Sequence, residues 1–239
     1  MPSSSEAVGQ PTLPSSSEAV GQPTLSSSSA AAGPIRNIVF DIGNVLVRWD
    51  SLGIVEAAFG LAGDAALTRR HALFVESDIW RALNRGEHTE AGAKRAYVEA
   101  GHLTEDEAER MFAALYDSLH LLADTPPLME RFASAGYRLF ALTDNVREIV
   151  AHLEERHGWW AMFEGVTNSA DLGYLKPDPR IYRHLIESNG LVPHETVFLD
   201  DMPGNVAGAH AAGLHAFVFT DAARAERDLR TLGVALPPA

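Results

Sequence analysis

The 239-residue chain contains no cysteine. Disulfides, thiolate metal sites and cysteine nucleophiles are thereby excluded. Positive charge is scarce: 19 Lys and Arg stand against 32 Asp and Glu, a formal net charge of −13. A chain of that sign repels a nucleic-acid backbone, and no nucleic-acid partner is expected. A small phosphorylated molecule is not excluded, because a local cation or metal can hold phosphate inside an acidic protein. No apolar run is long enough to span a bilayer, so no membrane partner is expected. The N-terminus has neither a basic region nor an apolar core, and the first basic residue is Arg36. A secretory signal and an Arg-rich transit peptide are therefore not expected. A cytoplasmic protein fits these absences.

What is present is a hydrophobic share of 46%, enough for a sizeable core. The length allows one large domain, or one domain with an inserted subdomain. Residues 1–33 stand apart. Pro2 to Leu13 and Pro14 to Leu25 are identical copies of PSSSEAVGQPTL, and Ser26 to Gly33 continues in Ser and Ala. With so few large apolar residues this segment reads as a disordered low-complexity tail. The repeat is too short for a solenoid.

The stretch from Ile38 to Val47 organises the remainder. It begins as a buried parallel strand would, breaks at Asp41, and returns to apolar residues after Gly43-Asn44. Asp41 would then sit at the C-terminal edge of a sheet, where ligands bind in open α/β folds. Gly43 is expected to supply a tight turn or a close approach to a ligand. Asn44 to Asp50 reads as a short hairpin or flap. From residue 51 to 122 apolar residues recur at helical spacing with no strand signal, and Thr104 to Glu107 has capping-box spacing. Strand signals return at Tyr137–Leu142, Phe163–Val166, Thr196–Leu199 and Leu214–Phe219, with helices between them. That alternation predicts a parallel sheet covered on both faces, with Asp41, Thr143 and the Asp200-Asp201 pair on one edge. The expected fold is α/β: a Rossmann-like doubly wound core over residues 34–50 and 123–239, with an all-helical cap inserted at 51–122.

Four stretches now stand in order: Phe40-Asp41-Ile42-Gly43-Asn44-Val45, Leu142-Thr143-Asp144-Asn145, Leu175-Lys176-Pro177-Asp178, and Phe198 through Asn205. Together they resemble the haloacid dehalogenase superfamily over residues 36–232. The first motif is similar to the Asp-Leu-Gly-Asn-Val of its capped sugar-phosphate phosphatases, and Asn84 to Thr89 resembles a turn in that subgroup's cap. The resemblance implies that Asp41 is the nucleophile and a Mg²⁺ ligand, and that Gly43 lends the ion its backbone carbonyl. Asp201 would bind the ion directly, Asp200 directly or through water, and Asn205 would steady them. Thr143 and Lys176 would serve catalysis and, with Asn44, Asp144 and Asn145, substrate binding. The chemistry is consistent with this. A carboxylate nucleophile splits phosphoester hydrolysis into two steps, Mg²⁺ screens the meeting of two anions, and a fixed lysine and a hydroxyl stabilise the phosphoryl oxygens. Asn145 fits equally well as a cap on the helix that follows. Trp159-Trp160 and the ten histidines read as packing or surface residues.

One departure matters. Most phosphatases of this superfamily carry Asp two residues after the nucleophile, as acid and base; here the position is Gly43. A general acid–base group contributes on the order of 10²–10⁴ in rate. Three explanations are open: an acidic leaving group such as an anomeric phosphate, a substitute such as water, Glu87 or His88, or weak catalysis. The expected function is a Mg²⁺-dependent phosphatase of a small phosphorylated metabolite, by resemblance a sugar phosphate. The alternatives are a 2-haloacid dehalogenase, which uses no metal and lacks the Asp-Asp pair, and a regulatory phosphate-binding protein on the same scaffold.

Overall fold

The computed structural model describes residues 34–236. The duplicated segment, and with it the expectation of disorder, lies outside the described residues. The order begins with β1 (Asn37–Phe40), then α1 (Ser51–Phe59), α2 (Gly63–Arg70), α3 (Asp78–Asn84), α4 (Glu90–Glu99) and α5 (Glu105–Ser118). It continues with α6 (Thr125–Ser134), β2 (Arg138–Thr143), α7 (Arg147–Arg156), β3 (Phe163–Asn168), α8 (Ser169–Leu172) and α9 (Pro179–Ser188). The last elements are β4 (Thr196–Asp200), α10 (Pro203–Ala211), β5 (His215–Val218) and α11 (Ala222–Thr231).

The five strands form one sheet in the order β3-β2-β1-β4-β5, and all pairings are parallel. β1 lies in the middle, with Phe40 beside Ala141 on one side and Leu199 on the other. Ile38, Phe40, Leu139, Ala141, Val197 and Leu199 pack on one face, with side chains of α6, α7 and α11. Val39, Phe140, Leu142 and Phe198 pack on the other, with α9 and α10. Burial on both faces is why these strands read as unbroken apolar runs.

The segment from α1 to α5 carries its own apolar interior, including Ile54, Leu73, Tyr97, Met111 and Leu115, which is continuous with the first sheet face. Its helix starts follow local chemistry. Thr89 Oγ1 accepts from Gly92 N, and Thr104 and Glu107 close the reciprocal capping box at 3.2 and 2.8 Å. A π-helical turn, His71–Val75, continues α2.

One local alternative is excluded, and two details are new. Residues 44–50 form no hairpin. The N–H groups of Val45, Leu46 and Val47 all converge on Ile42 O, and Val47 makes a single antiparallel bridge to Leu121. The left-handed residue of this turn is Asn44, at φ 53°, and Gly43 is not in that region. Asparagine tolerates the conformation because its side chain bonds locally; here Asn44 Oδ1 accepts from Trp49 N at 2.9 Å. The one-turn helix α8 was not foreseen. It forms because Asn168 Oδ1 accepts from Ala170 N at its start and Gly173 takes the left-handed position at its end.

Candidate active site

Asp41 follows directly after β1, and its N–H bonds Leu199 O, which pins it to the end of the neighbouring strand. Its Oδ1 accepts from Ile42 N at 2.7 Å and lies 2.9 Å from Lys176 Nζ. Lys176 sits between α8 and α9 with its side chain 1% exposed. Nζ also donates to Asp200 Oδ2 at 2.7 Å and to Leu142 O at 3.2 Å. The three ammonium protons are therefore spent on the ends of β1, β2 and β4, a role no planar or singly donating group could fill.

Asp200, the last residue of β4, is fully buried. Its Oδ1 accepts from Met202 N and Asn205 Nδ2, and its Oδ2 from Lys176 Nζ and again from Asn205 Nδ2. A carboxylate offers about four lone-pair sites, so those of Asp200 are committed inside the protein. Asp201 is half-buried, and its Oδ2 accepts from Asn44 Nδ2 at 2.9 Å. Oxygens of Asp41, Asp200 and Asp201 lie within 4.8 Å of one another. Both backbone groups of Gly43 are free of hydrogen bonds among the described residues.

The charges do not balance. Burial raises Asp41 from the ordinary 3.8 to about 7; Lys176 opposes this and Asp200 adds to it. Burial likewise raises Asp144 to about 6, again opposed by Lys176. Burial raises Asp201 as well. Burial by itself would lower Lys176, but Asp41, Asp200 and Asp144 outweigh it and hold the ammonium well above its usual value. Four carboxyl groups thus share one cation. A hard divalent ion with oxygen ligands fits the shortfall, and the donor set of Asp41, Asp201 and the Gly43 carbonyl suits it.

The other expected residues fall in different places. Thr143 is buried at the end of β2. Asp144 lines the cleft above the site and accepts the Lys176 N–H with both oxygens, at 3.0 and 2.9 Å. Asn145 also lines the cleft, but its Oδ1 accepts from Val146 N at the start of α7, and its own N–H goes to Ser169 Oγ. Asn145 thus bonds the residue before the helix while its side chain also borders the cleft, which leaves both readings of it standing. Asn44 spends its amide on Asp201 and Trp49, so it ties the turn after β1 to the acidic pair.

Glu87 and His88 are corrected as stand-ins for the missing acid. Neither lines the cleft, and Glu87 is exposed and bonded to Arg85. The turn that contains them joins the helical block to the sheet. Asn84 O accepts from Ser169 Oγ at 2.7 Å, Gly86 O accepts from Arg147 Nη1, and Glu90 N donates to Glu148. Arg147 Nη2 also donates to Ala170 O. Gly86 has φ +70°, and a Cβ there would collide with Ala170 O.

The cleft over the site measures about 580 Å³. Its outer wall, which sequence reasoning missed, comes from α1 to α3 and the turns around them, and includes Trp49, Leu52, Leu67 and Trp80. The only sequence signal for it was the pair of isolated tryptophans in otherwise ordinary helical spacing.

A family model for haloacid dehalogenase-like hydrolases matches residues 35–213. Among characterised relatives, the sesquiterpene phosphatase astK of Aspergillus oryzae is 26% identical, over 81% of this chain and 94% of that protein. Among solved structures, a haloacid dehalogenase-like hydrolase from Porphyromonas gingivalis superposes with a TM-score of 0.67 at 25% identity, covering 83% of this chain and 98% of that one. A haloacid dehalogenase family enzyme from Bacteroides thetaiotaomicron, in complex with magnesium and inorganic phosphate, shares the fold with a TM-score of 0.65 at 20% identity, over 78% of this chain and 94% of its own.

Proposed function

The chain belongs to the haloacid dehalogenase-like hydrolase family, and on that premise we propose that it is a Mg²⁺-dependent phosphomonoester hydrolase working through an aspartyl-phosphate on Asp41. The observation that carries the reading is the acidic cluster at the sheet edge: three carboxylates within 4.8 Å, served by the single buried ammonium of Lys176. A dehalogenase needs no such cluster, because halide leaves without metal assistance. A phosphatase needs it, because its nucleophile and its substrate are both anions. The name of the Aspergillus relative and the magnesium–phosphate complex of the Bacteroides structure support the same class.

The steps follow from the residues. Asp41 Oδ1 is held by Ile42 N and Lys176, which leaves Oδ2 to attack phosphorus. The new bond joins Oδ2 to phosphorus as the ester oxygen departs, and that oxygen takes its proton from water, because Gly43 has none to give. Water then attacks the phosphorus, releases inorganic phosphate and restores the carboxylate. Lys176 remains protonated throughout and stabilises the charge building on the phosphoryl oxygens. By the family resemblance, the free N–H of Gly43 and the hydroxyl of Thr143 would assist it. Bound between Asp41, Asp201 and the Gly43 carbonyl, Mg²⁺ would neutralise the nucleophile and the phosphate together. Asp200 acts through Lys176 and Asn205, which it holds in place. The block of α1 to α5 acts as a cap whose wall meets the leaving group and excludes water.

The substrate is a small phosphorylated metabolite. The likeness of the first motif makes a sugar phosphate one candidate, and the cleft wall, which the motif does not describe, decides the alcohol. The test is phosphate release from acetyl phosphate and a panel of sugar phosphates, with and without Mg²⁺, for wild type and Asp41→Asn. Mg²⁺-dependent release that vanishes in the variant is expected. Release that persists in Asp41→Asn would remove the nucleophile, and release unaffected by chelation would remove the metal.

A further inference from the structure

We infer that the leaving group is an apolar alcohol, with a carbon skeleton bare of hydroxyls, rather than a sugar; the inference rests on the phosphatase reading above. The floor of the cleft is charged, and its walls are mostly apolar, with Asp50, Arg70 and Arg81 the charged exceptions. Trp49 and Trp80 stack at 5.5 Å and 15°, and Phe74 meets both edge-on at 6.1 and 4.9 Å. Trp49 and Trp80 of this slab line the cleft. Leu67 and Met202 line the same cleft and are 48% and 55% exposed, among the most exposed large apolar side chains of the described residues. Apolar carbon left bare beside a charged floor is the composition of a site for an amphiphilic ligand.

Many of the polar groups of the outer wall are already engaged. Asp50 Oδ1 accepts from Gly53 N, and Ser51 Oγ accepts from Arg70 Nε at 2.8 Å. Arg81 donates to Val75 O, Glu76 O and Asp78. Asn84 Nδ2 donates to Trp80 O at 2.8 Å. A sugar brings several hydroxyls, each of which must find a donor and an acceptor once it leaves water. What remains on this wall is chiefly the outer guanidinium of Arg70, the second oxygen of Asp50 and the side-chain oxygen of Asn84, fewer donors and acceptors than the several hydroxyls of a hexose require. An alkyl or aryl group makes no such demand and gains by covering the indoles and leucines.

Two measurements test this. The first compares kcat/KM for octyl phosphate, glucose 1-phosphate and acetyl phosphate, in wild type and Leu67→Ser. Octyl phosphate should exceed glucose 1-phosphate by about tenfold or more, the scale set by a few methylenes in an apolar pocket. Leu67→Ser should lower the ratio of octyl to acetyl phosphate by about fivefold, since it removes part of one leucine's buried surface. The second is calorimetric binding of octylphosphonate and methylphosphonate, which requires no turnover. The octyl compound should bind at least about tenfold tighter, with a negative heat-capacity change. Preference for glucose 1-phosphate, or equal binding of the two phosphonates, overturns the inference. If no phosphate ester is turned over while octylphosphonate still binds the tighter, the phosphatase reading falls and the apolar cleft stands.

Discussion

Replacing Lys176 by Met keeps the buried volume and removes only the ammonium group. That group lies 2.7 Å from Asp200 and 2.9 Å from Asp41, with side-chain exposures of 1% for the lysine and 0% and 10% for the acids. At an effective dielectric of about 20, unit charges at such distances attract by about 6 kcal/mol each. Desolvating the ions consumes much of this, and breaking a buried pair by deleting one partner costs about 3–5 kcal/mol net. Set against a domain stability of about 5–15 kcal/mol, the loss is large without being fatal. It also has a pH signature. Asp41 is already held up to about 7 by burial, with Lys176 the main opposing influence. Without the ammonium its folded pKa climbs further. A raised carboxyl pKa favours the fold below the unfolded value near 3.8, and that advantage is lost as pH rises through the folded value. The deficit of Lys176→Met should therefore be about 3–5 kcal/mol at pH 8 and less than half of that at pH 5. The assay is urea unfolding in EDTA at both pH values, repeated with Mg²⁺, which should restore part of the loss at pH 8. Equal unfolding midpoints for wild type and variant at pH 8, or a deficit of the same size at both pH values, would refute the reasoning.

The same buried charge predicts that metal-free wild type loses stability between pH 4 and pH 7 as Asp41 ionises, and that Asp41→Asn flattens this slope; thermal unfolding across that range in EDTA decides it. Gly43→Asp should fold normally, because a Cβ there meets nothing closer than Trp49 Cβ at 3.7 Å. It should raise turnover of esters with poor leaving groups by about tenfold or more, while acetyl phosphate changes little; a variant equally fast on both would show that no acid is missing. Asp201→Asn should raise the Mg²⁺ concentration for half-maximal activity by about tenfold or more, because the pairing with Asn44 leaves Asp201 a free oxygen. A Mg²⁺ titration of activity measures the shift. Gly86→Ala should lower the melting temperature by several degrees through its collision with Ala170 O and its positive φ.

The sheet was legible because its physics is one-dimensional. Strands buried on both faces must be apolar at every position, so Ile38–Phe40, Leu139–Leu142 and Val197–Leu199 announce themselves in the sequence. Parallel pairing then carries the residue after each run to one edge, and Asp41, Thr143 and Asp200 meet there without further information. What stayed hidden depends on which side chain turns toward which partner. The turn after β1 reads as glycine chemistry, yet the strained position is Asn44, whose side chain is anchored at both ends. Glu87 and His88 are the chemically attractive residues of their turn, but its geometry serves the junction with Arg147 and Ser169.

The Asp200-Asp201 pair shows the same limit within the site. Two adjacent aspartates are equivalent on paper, and strand alternation sends them to different surroundings. Asp200 faces inward and is saturated by Lys176, Asn205 and Met202 N. Asp201 faces the cleft with one oxygen on Asn44. One aspartate therefore fixes the lysine and the other remains available to a cation. The order matters, because a saturated carboxylate at position 201 would leave the charge of Asp41 uncompensated in the cleft. The same argument extends to the leaving group. On the proposed reading, the motifs hold the groups that would meet phosphorus, and they lie on strands and tight turns. The groups that would meet the alcohol lie mostly on α1 to α3 and the turns around them, where helical spacing is read equally well as core packing. Trp49 and Trp80 acquire their meaning only when the fold stacks them beside Asp41.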